Sequence, residues 1–147
     1  MANPSKQKGT KYETLCRDML ASRLGDERIH RKTLSGHSDR GDLGGLYAHG
    51  LTGMVECKDA KVQRLADWKR QTIVEKGNAD ADFAVLIVHE PGKGFSHFME
   101  NSAYMTLGDL LKVASVSKVS ITFKAHLDRW VRITVGDLCD MVEGVVR

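Results

Sequence analysis

The chain has 147 residues, a length that suits one domain built around one hydrophobic core. Apolar residues make up 41% and charged residues 28%, which excludes a disordered or fibrous chain and is typical of a globular protein. The formal net charge of +3 permits a polyanionic partner without requiring one. We therefore expect a single domain over residues 1–147.

The cysteines and the apolar runs indicate the compartment. Cys16, Cys57 and Cys139 are far apart and form no CxxC pair, so a structural zinc site is not expected. The first residues lack the apolar run of a secretory signal, and no stretch reaches the ~18 apolar residues of a membrane span. We expect a cytoplasmic protein, with free thiols and no membrane partner.

The first third of the chain is predicted to contain an arm, a helix and a short strand. Residues 1–10 are polar, with Lys6 and Lys8, and are predicted to form a flexible basic arm. Apolar residues recur at three- and four-residue steps over 11–24, which predicts a helix. The segment 28–33 predicts a strand with a basic outer face, followed by a loop.

The middle of the chain predicts a hairpin, a helix and a buried strand. The hairpin turns near His49-Gly50 and returns along 52–58. A second helix is predicted over 63–76, with Gly77-Asn78 as its C-cap. The continuous apolar run at 83–89 is typical of a central strand. This order predicts an α/β fold with a mixed sheet flanked by helices.

Two segments near the C-terminus share one pattern. Both 104–114 and 132–142 contain apolar-Thr-apolar-Gly-Asp-Leu. Each is interpreted as a strand end that enters a helix capped by Asp109 or Asp137. Two copies are too few for a repeat protein, so a recurrent strand-to-helix turn is the prediction.

The hairpin places two acids and a lysine together. Asp42 and Glu56 are equidistant from His49, so a hairpin centred there puts them opposite each other, with Cβ atoms ~5 Å apart. Glu56 and Lys58 share a face because side chains alternate along a strand, whereas Cys57 points into the core. Two close carboxylates with the backbone carbonyl of Cys57 suit a divalent hard cation. With Lys58 beside it, such a site suits phosphodiester hydrolysis.

The same stretch carries a family resemblance. "GDL…VECK", with an acidic helix upstream, resembles the PD-(D/E)XK nuclease superfamily, and within it the Holliday junction resolvases, especially those of actinobacterial phages. It covers about residues 8–90: "KGTKYE" opens the first helix, "SDRGDLGGL" leads one active strand and "VECKDAK" ends the next. The proline that the family places before the aspartate is replaced by Gly41.

The resemblance implies a fold and a set of roles. The fold would be restriction-endonuclease-like, Asp42 and Glu56 would bind Mg²⁺ or Mn²⁺, and Lys58 would assist the nucleophilic water. The first helix of the family often supplies another acid, and Glu13 occupies the matching place. The alternative for Glu13 is an i,i+4 pair with Arg17. Asp39 competes with Asp42 for the metal role.

Basic residues are predicted to surround this site and hold phosphates, which would make DNA binding strongly dependent on salt. The candidate DNA-binding residues are Lys8, Lys11, Arg31, Lys32, Ser38, Arg40 and Lys61. Lys6 and Arg28 belong to the same basic set, whose alternative is an ordinary charged surface. Trp68 is interpreted as a core residue, and Lys93 lies on a loop where it would touch DNA.

The expected function is a metal-dependent, structure-selective DNA endonuclease that acts on four-way junctions as a homodimer. One alternative is another nuclease of the same fold that cuts duplex, flap or single-stranded DNA. Another is a catalytically silent nucleic-acid-binding relative. A phage structural or assembly protein with an accidental motif is the third. If the origin is a phage, the expected location is the cytoplasm of its host.

Overall fold

The computed structural model describes residues 3–33, 39–114 and 126–144. In chain order the elements are α1 (Pro4–Leu24), β1 (His30–Arg31), β2 (Leu43–Ala48), β3 (Leu51–Lys58), α2 (Leu65–Asn78), β4 (Phe83–Val88), a 3₁₀ helix (Phe95–Glu100), β5 (Ser102–Thr106), α3 (Leu107–Val113), β6 (Trp130–Thr134) and α4 (Val135–Glu143).

In the described parts of the chain, the strands form one six-stranded mixed sheet in sequential order, β1-β2-β3-β4-β5-β6. Of these six described strands, β3 and β4 run parallel, because α2 connects them as a crossover, and the other neighbouring pairs are antiparallel. The predicted mixed sheet flanked by helices is confirmed. It establishes a general α/β architecture and no particular fold family.

The central strand β4 divides the core in two. All six of its residues are buried, as its continuous apolar run predicts. Val85 and Ile87 belong to the larger cluster, which includes Tyr12, Cys16 and Leu20 of α1 and Leu138 and Cys139 of α4. Leu86 and Val88 face the opposite side and pack with Trp68 of α2 and Tyr104. Trp68 is thus buried, as expected.

The first helix is longer than predicted. It begins at Pro4, so the prediction of a flexible basic arm is wrong for residues 4–10. Proline is tolerated in a first turn because its missing N–H would have no intrahelical partner there. The buried stripe of Tyr12, Cys16 and Leu20 anchors the helix, and each added residue then gains one backbone hydrogen bond.

Other element boundaries also differ from the predicted ones. The predicted strand at 28–33 is only His30–Arg31, and the following loop is described from Asp39 onward. The helix α2 continues through Gly77, because the amide of Ala79 donates to the carbonyl of Glu75 and the amide of Asp80 donates to the carbonyl of Gly77, which completes the last turn. Asn78 is therefore helical, and the predicted Gly-Asn cap is wrong.

The two C-terminal helices are capped by threonine rather than aspartate. Thr106 and Thr134 accept hydrogen bonds from the amides of Asp109 and Asp137. Asp137 accepts in turn from the amide of Thr134 and completes a capping box. Asp109 is buried instead, 2.9 Å from Lys76 Nζ and 3.0 Å from the amide of Ala84.

The three cysteines are free, as expected, and all three are buried. Among the described residues, no helix is both long and apolar enough to span a membrane.

Candidate active site

A β-bulge in β2 determines which residue of β3 Asp42 lies opposite. The hairpin turns at His49 and Gly50, which both have positive φ (52° and 81°), as a type I′ turn requires. Leu46 pairs with Gly53, so unbroken pairing would bring Leu43 opposite Glu56, but Leu43 pairs with Val55 instead. One residue is therefore inserted into β2, and the next step brings Asp42 level with Glu56.

Gly45 makes the bulge feasible. Its φ is +79°, and a Cβ atom at this position would lie 2.0 Å from the carbonyl oxygen of Arg28. Glycine is the residue that tolerates both conditions. The hairpin is centred between His49 and Gly50 rather than at His49, which shifts the pairing of β2 with β3 by one residue from the prediction. The extra residue of the bulge reverses this shift and restores the predicted pairing of Asp42 with Glu56.

Asp42 is held rigidly at the end of β3. Its amide donates to the carbonyl of Val55 at 3.0 Å, and its Oδ2 accepts from the amide of Cys57 at 2.8 Å. The N–H and C=O of one strand residue point to the same side, so the Cys57 carbonyl also points toward Asp42. The Cys57 side chain lies in the core on the other face, where burial raises its pKa.

Glu56 and Lys58 lie on one face of β3, as alternation predicts. Lys58 Nζ is 3.3 Å from Glu56 Oε1. Glu56 is 2% exposed, and its Oε2 is buried without a hydrogen-bond partner among the described residues. A buried carboxylate oxygen without a donor is costly, and it marks a place where a cation or a proton is needed.

Glu75 is a site residue that the sequence prediction missed. It is 1% exposed, accepts a hydrogen bond from Gln71 Nε2 at 2.8 Å, and leaves its own Oε2 without a partner in the described chain. Its carboxyl group also interacts with those of Glu56 and Asp39. Its place on the same helix face as the buried Trp68 and Thr72 is the signal, since an acid on the buried face of a helix needs a reason.

Glu13 of α1 joins the same cluster. Its Oε2 is 3.0 Å from Arg31 Nη2, and it also interacts with Asp42. The pair with Arg17 that sequence spacing offered is not seen in the described residues, because Arg17 donates to Asp18 and to the carbonyl of Ile29.

Asp39, the rival of Asp42 for the metal role, also lines the cleft. Its Oδ1 accepts from the amide of Gly41 at 3.0 Å, and its carboxyl group raises the pKa of Glu75. Asp42 is the acid that reaches the end of β3, where it meets the Cys57 amide and Glu56. We therefore retain Asp42 as the candidate metal ligand.

The carboxyl groups perturb one another. Burial raises the pKa of Glu56, and the nearby carboxyl groups of Glu75 and Asp42 raise that pKa further. Burial and the charge of Asp42 raise the pKa of Glu13, partly offset by Arg31. Burial also raises the pKa of Glu75, against the lowering effect of its interaction with the Glu56 carboxyl group. Burial and mutual repulsion oppose the simultaneous ionisation of these acids, and added positive charge favours it.

The carboxyl groups of Glu13, Asp39, Asp42 and Glu56 line a cleft of about 960 Å³ that is bounded by α1, β1, α2 and the ends of β2 and β3. Basic side chains line it, and they include Lys6, Arg31, Lys32 and Arg40. Lys32 Nζ donates to the carbonyl of Arg40 at 2.7 Å, and burial lowers the pKa of Lys32.

The remaining DNA-binding candidates lie elsewhere. Lys8 and Lys11 line a neighbouring cavity, and Lys61 is exposed outside both. Ser38 lies outside the described residues. Arg28 is turned away, paired with Asp26 and stacked over Tyr47 at 4.5 Å. The basic cluster is therefore divided between two neighbouring surfaces.

The donor set fits a hard divalent cation in its chemistry. The described residues contain no group of three His, Cys, Asp or Glu side chains arranged to hold a metal ion. Two carboxylates from Asp42 and Glu56 and the Cys57 carbonyl form an oxygen set that does not rely on a third side chain. The unpartnered Glu56 Oε2 is the atom that such a cation would satisfy.

No family model, curated protein or solved structure matches the chain. The geometry of the cleft is therefore the basis for a functional assignment.

Proposed function

We propose that the protein is a metal-dependent DNA endonuclease that hydrolyses phosphodiesters, with four-way junctions as its preferred substrate. The observation that carries the proposal is the convergence of Asp42, the buried Glu56 and Lys58 in one cleft with basic residues along its rim.

Each residue of the cleft has a role in this proposal. Asp42 and Glu56, with the Cys57 carbonyl, would hold Mg²⁺ or Mn²⁺. When bound, such a cation supplies activation of water and stabilisation of negative charge on the phosphoryl group. Lys58, held 3.3 Å from Glu56, orients the attacking water or donates to a phosphoryl oxygen. Glu13, on α1, and Glu75, on α2, restrain the carboxylates of Asp42 and Glu56.

The charge of the rim residues supports a nucleic-acid substrate in this proposal. Arg31, Lys32 and Arg40 present positive charge beside the carboxylates, which suits a phosphate backbone. The junction preference rests on the resemblance to resolvases. A four-way junction has approximate two-fold symmetry and needs two incisions, so we propose a homodimer with two cleavage sites. With its thiols reduced, the protein would act in the cytoplasm.

A cleavage assay tests the proposal. Wild type and Asp42→Asn are incubated with Mg²⁺ or with EDTA on a labelled four-way junction and on a linear duplex of matched sequence. We expect symmetric nicks on the junction alone, lost in Asp42→Asn and in EDTA. Equal cutting of the duplex would keep the nuclease and remove the junction preference. Tight binding without cleavage in any condition would leave a catalytically silent DNA-binding protein.

A further inference from the structure

A second cavity lies beside the cleft and is not used by the proposed chemistry. It measures about 380 Å³ and is bounded by the first turns of α1, the end of β4 and the start of the 3₁₀ helix. Asp59, the residue after Lys58, lines both cavities. The amide of His89 donates to the Lys58 carbonyl at 2.9 Å, so the wall of this second cavity is one strand away from the site.

The cavity combines an apolar floor with an aromatic wall. Tyr12, Leu15 and Phe98 contribute apolar surface inside it. Phe95 lines it as well, with 69% of its surface exposed. An exposed phenyl ring at the mouth of a cavity offers a free face on which a flat ring can stack.

Positive charge surrounds the mouth. Lys8, Lys11 and Lys93 line the cavity. Lys8 lies 3.4 Å from Asp59, and Lys93 lies 3.4 Å from Glu100. Lys11 is exposed and has no ionic partner in the described parts of the chain. An apolar cavity with a lysine rim matches the two halves of a nucleotide, a flat base and a phosphate.

The wall is held in place before any ligand arrives. His89 Nδ1 is 2.9 Å from Asp59 Oδ1, and its Nε2 is 2.7 Å from the carbonyl of Lys93. The ring of Tyr12 stacks on His89 with centroids 5.2 Å apart. These contacts tie α1, the end of β3 and the loop before the 3₁₀ helix together, so a ligand meets a preformed cavity.

We propose that this cavity receives one unpaired nucleotide of the DNA, adjacent to the strand that occupies the cleft. The base stacks against Phe95, and the flanking phosphates contact Lys8, Lys11 and Lys93. A paired base is hidden inside its duplex stack and cannot enter a cavity of this size. The inference rests on the proposed function and deepens it, because it makes unpaired nucleotides beside the cut the feature that the protein recognises.

The test measures binding rather than cleavage. In the Glu56→Gln background, Phe95→Ala is compared with Phe95→Tyr, which keeps a ring, and with Ile73→Ala, which removes an exposed apolar residue from α2. Fluorescence anisotropy is recorded with a labelled single strand, a four-way junction with one unpaired nucleotide at its centre, and a blunt duplex.

We expect Phe95→Ala to weaken binding of the single strand and the modified junction about tenfold, the size of one lost stacking contact, with the duplex unchanged. Phe95→Tyr and Ile73→Ala should bind like the parent. A single strand that carries 5-iodouracil should photo-crosslink to Phe95. Unchanged binding by Phe95→Ala, or equal weakening on the duplex, would overturn the proposal.

The two proposals can fail separately. If wild type cleaves no DNA but Phe95→Ala selectively loses the unpaired substrates, the nucleotide cavity stands and the nuclease does not. If wild type cleaves junctions and Phe95→Ala binds normally, the nuclease stands and this cavity has no part in it.

Discussion

At the scale of single residues, the cleft is built from groups that oppose stability. Glu56 is 2% exposed, and its neighbours include two further carboxyl groups, Asp42 and Glu75. A well-packed protein avoids a buried acid without a donor, and residues that violate this rule cluster at functional sites. The conflict gives two predictions at this scale, one on stability and one on chemistry.

Glu56→Gln should stabilise the protein at alkaline pH in EDTA. The folded state raises the pKa of Glu56 and so binds a proton that the unfolded chain releases above pH ~4.3. That stability is present in acid and declines as pH rises toward the folded pKa. The substitution removes the loss, so the Tm of the variant should exceed that of wild type by roughly 3 °C or more at pH 8 and by little at pH 4.

Thermal melts of both proteins at the two pH values check this. Glu27→Gln, at an exposed position, is the control and should change neither melt. Adding Mg²⁺ should raise the wild-type Tm more than that of Glu56→Gln, because ligand binding stabilises the state that binds it. A Glu56→Gln protein that melts below wild type at pH 8 would show that the buried Glu56 carboxyl group does not destabilise the fold.

Lys58→Met should remove cleavage and spare binding. The ammonium group is 3.3 Å from Glu56, in a position to act on the reacting atoms, and removing one such group costs roughly a hundredfold or more in rate. Lys61→Met is the matched control, because Lys61 is exposed and lines neither cavity. Single-turnover cleavage and anisotropy are measured side by side. A loss of binding as large as the loss of rate would make Lys58 only a phosphate anchor.

At the scale of elements, the bulge in β2 positions Asp42 in the site. Leu43 pairs with Val55 only because one residue is inserted before Leu46, and that insertion brings Asp42 to the amide of Cys57. The two glycines with positive φ in this hairpin have different surroundings. Gly45 is pressed against the Arg28 carbonyl, whereas a Cβ atom at Gly50 would meet nothing within 4 Å.

Gly45→Ala and Gly50→Ala therefore form a matched pair. Both place alanine at positive φ, which costs about 1–2 kcal/mol. Gly45→Ala adds a collision with backbone 2.0 Å away, so β1 or β2 must move. We expect Gly50→Ala to be less stable than wild type by that amount and to keep its cleavage rate. We expect Gly45→Ala to lose more stability and also most of its activity.

Urea melts and cleavage rates measured below the melting transition separate the two effects. Equal stability and activity in the two variants would mean that the bulge can relax and does not position Asp42.

At the scale of the whole molecule, the topology brings the acids together from both faces of the sheet. The strands β3 and β4 run parallel, so their carboxyl ends meet at the same edge of the sheet. Glu56 and Lys58 lie at this edge, at the end of β3. The helix α1 supplies Glu13 from one face, and α2 supplies Glu75 from the other. The basic rim then surrounds this edge and determines the charge that a ligand meets.

The salt dependence of DNA binding should report that rim. Each phosphate neutralised by the protein contributes about 0.9 to the slope of log K against log salt for duplex DNA. In the inactive Glu56→Gln protein, Lys6→Ala and Arg40→Ala should each reduce the slope by about one unit. Arg70→Ala is the control, because Arg70 is exposed on α2, pairs with Asp67 and lines neither cavity.

Anisotropy titrations over a series of salt concentrations measure the slopes. A slope that Arg70→Ala lowers as much as Arg40→Ala does would show that DNA contacts the whole charged surface rather than the cleft.

Local pattern determined much of this molecule. The alternation along β3 placed Glu56 and Lys58 on one face, the turn chemistry of His49-Gly50 located the hairpin, and the apolar run at 83–88 marked the buried strand. These features depend on neighbours within a few residues, so the sequence is sufficient for them. The start of α1 at Pro4 was missed because the stabilising contacts lie further along, at Tyr12 and beyond.

The tertiary structure decided what no local pattern carries. Glu75 becomes a site residue only because α2 crosses over the sheet and brings it to Glu56 of another element. Glu13 meets Arg31 and Asp42 through the packing of α1, not through the helical spacing that pointed to Arg17. The bulge at Gly45 depends on the approach of the Arg28 backbone. Such contacts join residues distant in the chain, and only folding brings them within range.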